Sequence, residues 1–143
     1  MKDVKLKISG YHIYDDREEN QLELITDGKL YKHGDSLFIT YDESDFTGLE
    51  DCKTRLQLDD DGVRMTRKGS AVGIDTEIHF ESGKRYEGYY DTPYGPVEME
   101  VLTNDLKNTV TADGTGGVDI DYSISLKGLS EGRSRLKIEV QKV

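Results

Sequence analysis

The chain of 143 residues has no tryptophan, a single cysteine, two prolines and two alanines. Without tryptophan, the immunoglobulin-type core, in which a buried Trp packs against an inter-sheet disulfide, is excluded. With Cys52 alone, no intrachain disulfide can form, as befits a reducing compartment, and a cytoplasmic location is expected. So little alanine beside 29 Val, Ile and Thr residues argues against a helical protein, because the best helix former is scarce and β-branched side chains abound. No apolar run reaches the roughly 18 residues of a membrane-crossing helix. Met1–Lys5 leads directly into alternation, so no signal-peptide core is expected. Positive charge is also in short supply, with 19 Lys and Arg against 29 Asp and Glu, a net charge of -10 and a pI near 4.7. Nucleic acids and anionic membrane surfaces draw affinity from a basic footprint. The densest cationic stretch, Arg64–Lys68, is short and follows three aspartates, so neither partner is expected.

What the sequence has instead is alternation of apolar and polar residues from end to end. Val4, Leu6 and Ile8 alternate with lysines and Ser9, and Gly10 marks a bulge or bend before Tyr11–Tyr14. Leu22 and Leu24 open a second strand, a turn falls at Asp27-Gly28, and Lys29–Lys32 follows. His33-Gly34-Asp35, Asp59–Gly62, Glu81–Lys84, Thr92–Gly95 and Asp113–Gly117 read as turns. Val72, Ile74, Thr76, Ile78 and Phe80 form the cleanest alternating row, and Val97–Thr103 continues past a kink at Asn104-Asp105. Nine or ten strands result, with no helix, linker or repeat. Short connections force antiparallel neighbours, and one wet face per strand requires one buried layer. The expectation is a single all-β domain over 1–143, a closed antiparallel up-and-down barrel of about eight to ten strands, which removes free sheet edges.

Several local motifs lack the context their chemistry needs. Gly128-Leu129-Ser130-Glu131-Gly132 matches the nucleophile elbow by letter. The elbow requires a helix after the Ser and a His later in the chain, whereas a strand pattern follows and no His lies beyond His79. Asp59-Asp60-Asp61-Gly62 fails the calcium-loop spacing, because with Gly62 sixth the first and twelfth positions are Gln57 and Lys68. Gly114-Thr115-Gly116-Gly117 is followed by no helix that could receive a phosphate. His12, His33 and His79 have no close ligand spacing, and Cys52 has no local group to activate it. The carboxylates mostly alternate outward, so a glycosidase pair is not indicated. No catalytic residues, no metal and no cofactor are expected, and the protein is read as a non-enzyme.

Tyrosine is the unusual signal, nine of the twelve aromatics, with four between Arg85 and Gly95. On the inferred inner rows Tyr86, Tyr90 and Tyr122 join Arg67, Thr76 and Thr103. A guanidinium with phenol hydroxyls inside a barrel suits a carboxylate on an otherwise apolar molecule. The same tyrosines could equally fill the barrel ends with their hydroxyls in water. The candidate ligand-binding residues are Arg67, Tyr86, Tyr90, Tyr94, Thr103 and Tyr122, with Gly95 near the mouth. The alternative is a solidly filled barrel that meets a partner protein through Tyr89 and Tyr94. The partners compatible with these readings are a small molecule, another protein or a second copy forming a homodimer.

Arg67-Lys68-Gly69, Ile78–Tyr86 and Tyr90-Asp91-Thr92-Pro93-Tyr94-Gly95, with Thr26–Tyr31 and Tyr41-Asp42-Glu43, resemble the YwiB-like proteins of Gram-positive bacteria over essentially the whole chain. The resemblance implies a small cytosolic calycin-like (lipocalin-like) barrel. It brings no activity, cofactor or site residue with it. True lipocalins carry a Gly-x-Trp signature that a chain without Trp cannot contain.

Overall fold

Ten strands follow one another in a computed structural model. It describes residues 1–42, 52–69, 74–92, 95–127 and 130–143, with the backbone alone at 52, 69, 74–76, 90–92 and 130. They are β1 (Lys2–Tyr14), β2 (Arg17–His33), β3 (Ser36–Asp42), β4 (Cys52–Leu58), β5 (Val63–Gly69), β6 (Ile74–Phe80), β7 (Arg85–Thr92), β8 (Gly95–Asn108), β9 (Gly116–Leu126) and β10 (Ser130–Lys142). All belong to one antiparallel sheet in the order β6-β5-β4-β3-β2-β1-β10-β9-β8-β7. Sequence neighbours pair everywhere except between β6 and β7, and β1 with β10 joins the two halves, so the sheet rolls into a nearly closed up-and-down barrel. No helix among the described residues is long and apolar enough to cross a membrane.

The alternating rows set the inside. Val4, Leu6, Ile39, Leu56, Val101 and Ile120 are fully buried, and Leu30, Val63, Phe80 and Ile138 nearly so. Each such side chain contributes roughly 1.5–3 kcal/mol over an exposed one. Two predicted irregularities are present. At Gly10 the β1–β2 register shifts, Gly10 facing Leu22 and Tyr11 facing Asn20, so Gln21 is the extra residue on β2. On β8 the register with β9 shifts between Thr103 and Asp105.

The strand plan departs from the sequence reading in two places. Asp27-Gly28 is no turn, because β2 runs through it unbroken and pairs with both β1 and β3. Gly28 is there for space, since a Cβ would lie 2.6 Å from Leu6 Cδ1 and 3.0 Å from the Thr40 carbonyl. Conversely β2 begins well before Leu22. Asp15 and Asp16 carry φ of 49° and 61°, the double left-handed geometry of a two-residue hairpin turn. Residues 17–21 are exposed and polar, so cross-strand pairing rather than burial holds them extended, and no alternation announces them. The outer face of this region carries a charge ladder. Arg135 reaches Asp119 at 2.8 and 2.6 Å and Glu18 at 2.5 Å, and Arg133 reaches Asp121 at 2.9 and 2.6 Å. The guanidinium hydrogen bonds hold both aspartates below the usual carboxylate range.

The closing margin is unusual. No ladder joins β6 to β7 among the described residues, although only Glu81–Lys84 separates them. At that turn the Lys84 N–H donates to the Glu81 carbonyl at 2.9 Å and the Gly83 N–H to the Thr103 carbonyl at 2.8 Å. Beyond it the strands meet through side chains. Residues facing each other across a ladder point to the same side. Tyr86, opposite buried Val101, therefore belongs to the inward row of β7, and His79, opposite exposed Arg64, to the outward row of β6. Yet their rings stack, centroids 4.7 Å apart and planes 14° off parallel. The inner surface of β7 thus overlaps the outer surface of β6, and the barrel closes as a lap.

Candidate functional site

A cavity of about 370 Å³ occupies the half of the barrel nearer the Asp15-Asp16 turn. Its walls are apolar, with Ile8, Leu24, Met65, Ile78, Phe80 and Ile124 supplied by five different strands. Its polar groups are Arg67 on β5, Tyr122 on β9, His12 on β1 and Ser134 on β10, together with Arg135, Tyr11 and Gln21 near the rim. No carboxylate among the described residues lines it.

Ladder register explains how distant residues converge. Thr103, Tyr122, Ser134, His12 and Glu19 form one row across β8, β9, β10, β1 and β2. Tyr122 reaches inward from it to meet Phe80 edge-on at 5.1 Å. Burial pushes the Tyr122 phenol above its ordinary pKa, while the Ser134 hydroxyl and the Arg67 charge hold it back. A phenol kept neutral beside a guanidinium presents two donors toward one side of the cavity. Arg67 itself is half-buried, in the row Tyr41–Thr54–Arg67–Thr76 across β3 to β6.

Of the predicted site residues, the structure brings Arg67 and Tyr122 together in the cavity. Thr103 is inward and fully buried beside Tyr122, but does not line the cavity. Tyr86 is diverted to the lap, where its ring lies over Gly88, whose Cβ would come within 2.9 Å of the phenol oxygen. Partial burial and the nearby Glu77 raise the Tyr86 pKa, with Arg64 opposing. Gly95 begins β8 with φ of +113°, and no contact places it at the cavity. Tyr94 lies outside the described residues, as does part of the Gly128–Gly132 motif, and Tyr90 is described only in its backbone. Tyr89 points outward and is 63% exposed. A closed up-and-down barrel implies that the first strand meets the last, but His12 and Ser134 are not legible as a pair because neither that register nor the face of His12 beyond Gly10 shows in the sequence.

Thr54 and Thr103 bury their hydroxyls fully, and neither Oγ1 has a hydrogen-bond partner among the described residues. An unsatisfied buried hydroxyl costs about 1–3 kcal/mol. Thr54→Val and Thr103→Val, near-isosteric changes, are each expected to stabilise the protein by about 1 kcal/mol in a urea melt. A loss of similar size would show instead that internal water satisfies them.

The architecture defines the protein as a ten-stranded antiparallel barrel with a mostly apolar cavity in one half. Residues 6–138 match the family described as a domain of unknown function, DUF1934, and the chain belongs to that family. It is also similar to the crystal structure of the ywiB protein from Bacillus subtilis, with a TM-score of 0.81 and 18% identity over 99% of this chain and 92% of that one. At that identity the likeness shows the fold alone, a fold consistent with the calycin-like barrel expected from sequence. No curated protein matches the sequence. Neither relationship indicates a specific function.

Proposed function

We propose that this protein is a non-enzymatic barrel that binds a small molecule in its interior, one with an apolar body and an anionic head. The observation that carries this reading is the cavity of about 370 Å³, lined mostly by apolar side chains and by Arg67 and Tyr122. Ligand sites run from roughly 300 Å³ upward, and a few convergent polar groups fix orientation within apolar walls. The guanidinium and the phenol would donate to the anionic head by charge-assisted hydrogen bonds. The alternative, a filled barrel acting only through protein contacts, accounts less well for this volume. Nucleic acid and membrane surfaces remain unexpected partners for so acidic a chain, and a cytoplasmic location fits its lone cysteine.

Native mass spectrometry of protein purified from its own host is expected to reveal a co-purified small molecule. Octanoate, an apolar chain with a carboxylate, serves as the defined probe in calorimetry. Arg67→Met is expected to weaken its binding by about tenfold or more, the effect of losing a hydrogen bond to a charged group. Failure of the unmodified protein to bind octanoate, with no co-purified molecule, would transfer the reading to the filled-barrel alternative.

A further inference from the structure

We infer that the lapped margin between β6 and β7 is the determinant of ligand size, sliding to enlarge the cavity for molecules bigger than the resting one admits. This inference rests on the ligand reading of the cavity. Its basis is the division of labour along the sheet. β6 supplies the cavity wall through Ile78 and Phe80, whereas no described residue of β7 or β8 lines it. On one side β6 is bound to β5 over its whole length, Gly69 facing Ile74 through Val63 facing Phe80. On the other it has no ladder, so displacing it relative to β7 breaks no backbone hydrogen bond between them.

What joins the two margins can slip. The His79–Tyr86 stack and the edge-on contact of Phe80 with Tyr122 are ring contacts, which tolerate a shift better than a backbone ladder does. Among the described residues, the backbone hydrogen bonds that pin this margin lie where the turn binds β8, from the Gly83 N–H to the Thr103 carbonyl and from the Thr103 N–H to the Lys84 carbonyl at 3.1 Å. That pin lies at the end of β6 away from Arg67, because β5 and β6 are antiparallel and Phe80 faces Val63 while Thr76 faces Arg67. Sliding therefore moves the Arg67 end of β6 most, while Phe80, which meets Tyr122 in the cavity wall beside the pin, moves least. In a barrel closed by ladders on every side, the same expansion would require rupture of a strand pair. Direct pairing of β6 and β7 would be antiparallel, and a strand inserted between them would have to be parallel to one, so the margin is better read as a sliding joint than as a vacancy for a partner strand.

The test uses a chain with Cys52→Ser, His79→Cys and Tyr86→Cys, compared before and after the two thiols are joined by dibromobimane. Both replaced side chains lie at the partly exposed margin, and the unlinked form is its own control for folding and for loss of the ring stack. The probes are octanoate and hexadecanoate, which at about 30 Å³ per non-hydrogen atom occupy roughly 300 and 540 Å³. Calorimetry is expected to show both binding to the unlinked protein. Linking should leave octanoate affinity unchanged and weaken hexadecanoate at least tenfold. Equal hexadecanoate binding with and without the link would overturn the sliding margin while leaving the cavity reading intact. Binding of octanoate but not hexadecanoate to the unlinked form would overturn it equally. Binding of neither probe to the wild-type chain would remove the cavity reading and this inference with it.

Discussion

Ile120→Asp is expected to leave the chain unfolded at room temperature, whereas Ile25→Asp should fold with a urea midpoint close to that of the wild type. The two substitutions are chemically identical and differ in place. Ile120 is fully buried on β9, and its ladder partners Leu136 and Leu106 are half-buried apolar residues of the same inward row. A carboxylate there would lose its hydration with no partner to replace it, at a cost of several kcal/mol. Loss of the apolar contacts adds about 2–5 kcal/mol. Together these approach the whole stability of an ordinary domain, roughly 5–15 kcal/mol. Ile25 points outward from β2 and is 64% exposed, opposite Lys7, so an aspartate there stays hydrated and gains a favourable neighbour. Similar urea midpoints for the two variants would show that the inward and outward rows have been assigned wrongly.

Gly116→Ala is expected to cost more than about 3 kcal/mol, because it forces backbone apart. Gly116 opens β9 with φ of +108°, a conformation L side chains rarely adopt. An added Cβ would lie 2.1 Å from the Thr109 carbonyl oxygen, 2.6 Å from its carbon and 2.8 Å from Val110 Cα. These are backbone atoms, and they are held in place. The Thr109 N–H donates to the Gly117 carbonyl at 2.8 Å, the Gly117 N–H to Thr109 Oγ1 at 3.0 Å, and the Thr111 N–H to the Thr115 carbonyl at 2.9 Å. Within the same loop Asp113 accepts hydrogen bonds from the Thr111 and Thr115 hydroxyls and pairs with Lys142 at 3.2 Å, which holds its carboxyl well below the usual range. Relief by local rearrangement would therefore dismantle the β8–β9 connection. Gly34→Ala is the comparison, since φ there is +63° but nothing lies within 4 Å of a Cβ. It should cost only the left-handed penalty of about 1–2 kcal/mol. Equal losses in thermal or urea unfolding would show that conformation alone, and not the clash with Thr109, governs Gly116.

Much of the barrel is legible residue by residue. Val4, Leu6 and Ile8 are inward because they alternate with lysines, and Gly10 and Asn104 mark irregularities because alternation falters beside them. The turn at Asp59–Gly62 is legible from composition, and the Asp59 N–H indeed donates to the Gly62 carbonyl at 2.9 Å. Gly28 misleads because glycine marks a turn and a close approach with the same letter. Asp15-Asp16 escapes notice because aspartate rarely announces a double left-handed turn. The candidate site divides in the same way. Arg67 and Tyr122 follow from parity on regular strands, and both line the cavity. Tyr86 has the right parity too, but parity fixes a face only where the neighbouring strand continues the sheet, and β7 has β6 beneath it instead.

The sequence by itself determined the period of the strands, their antiparallel order and the rows that turn away from water, because each depends on neighbours two to a dozen residues away. Only the tertiary structure decided the register of β1 on β10, which sets His12 and Ser134 in one row with Tyr122, and that the unpaired margins fall at β6 and β7 and overlap there. Those outcomes depend on the cumulative twist and curl of ten strands, which brings together residues from opposite ends of the chain. No local pattern encodes that sum, and the cavity between Arg67 and Tyr122 exists only once it is complete.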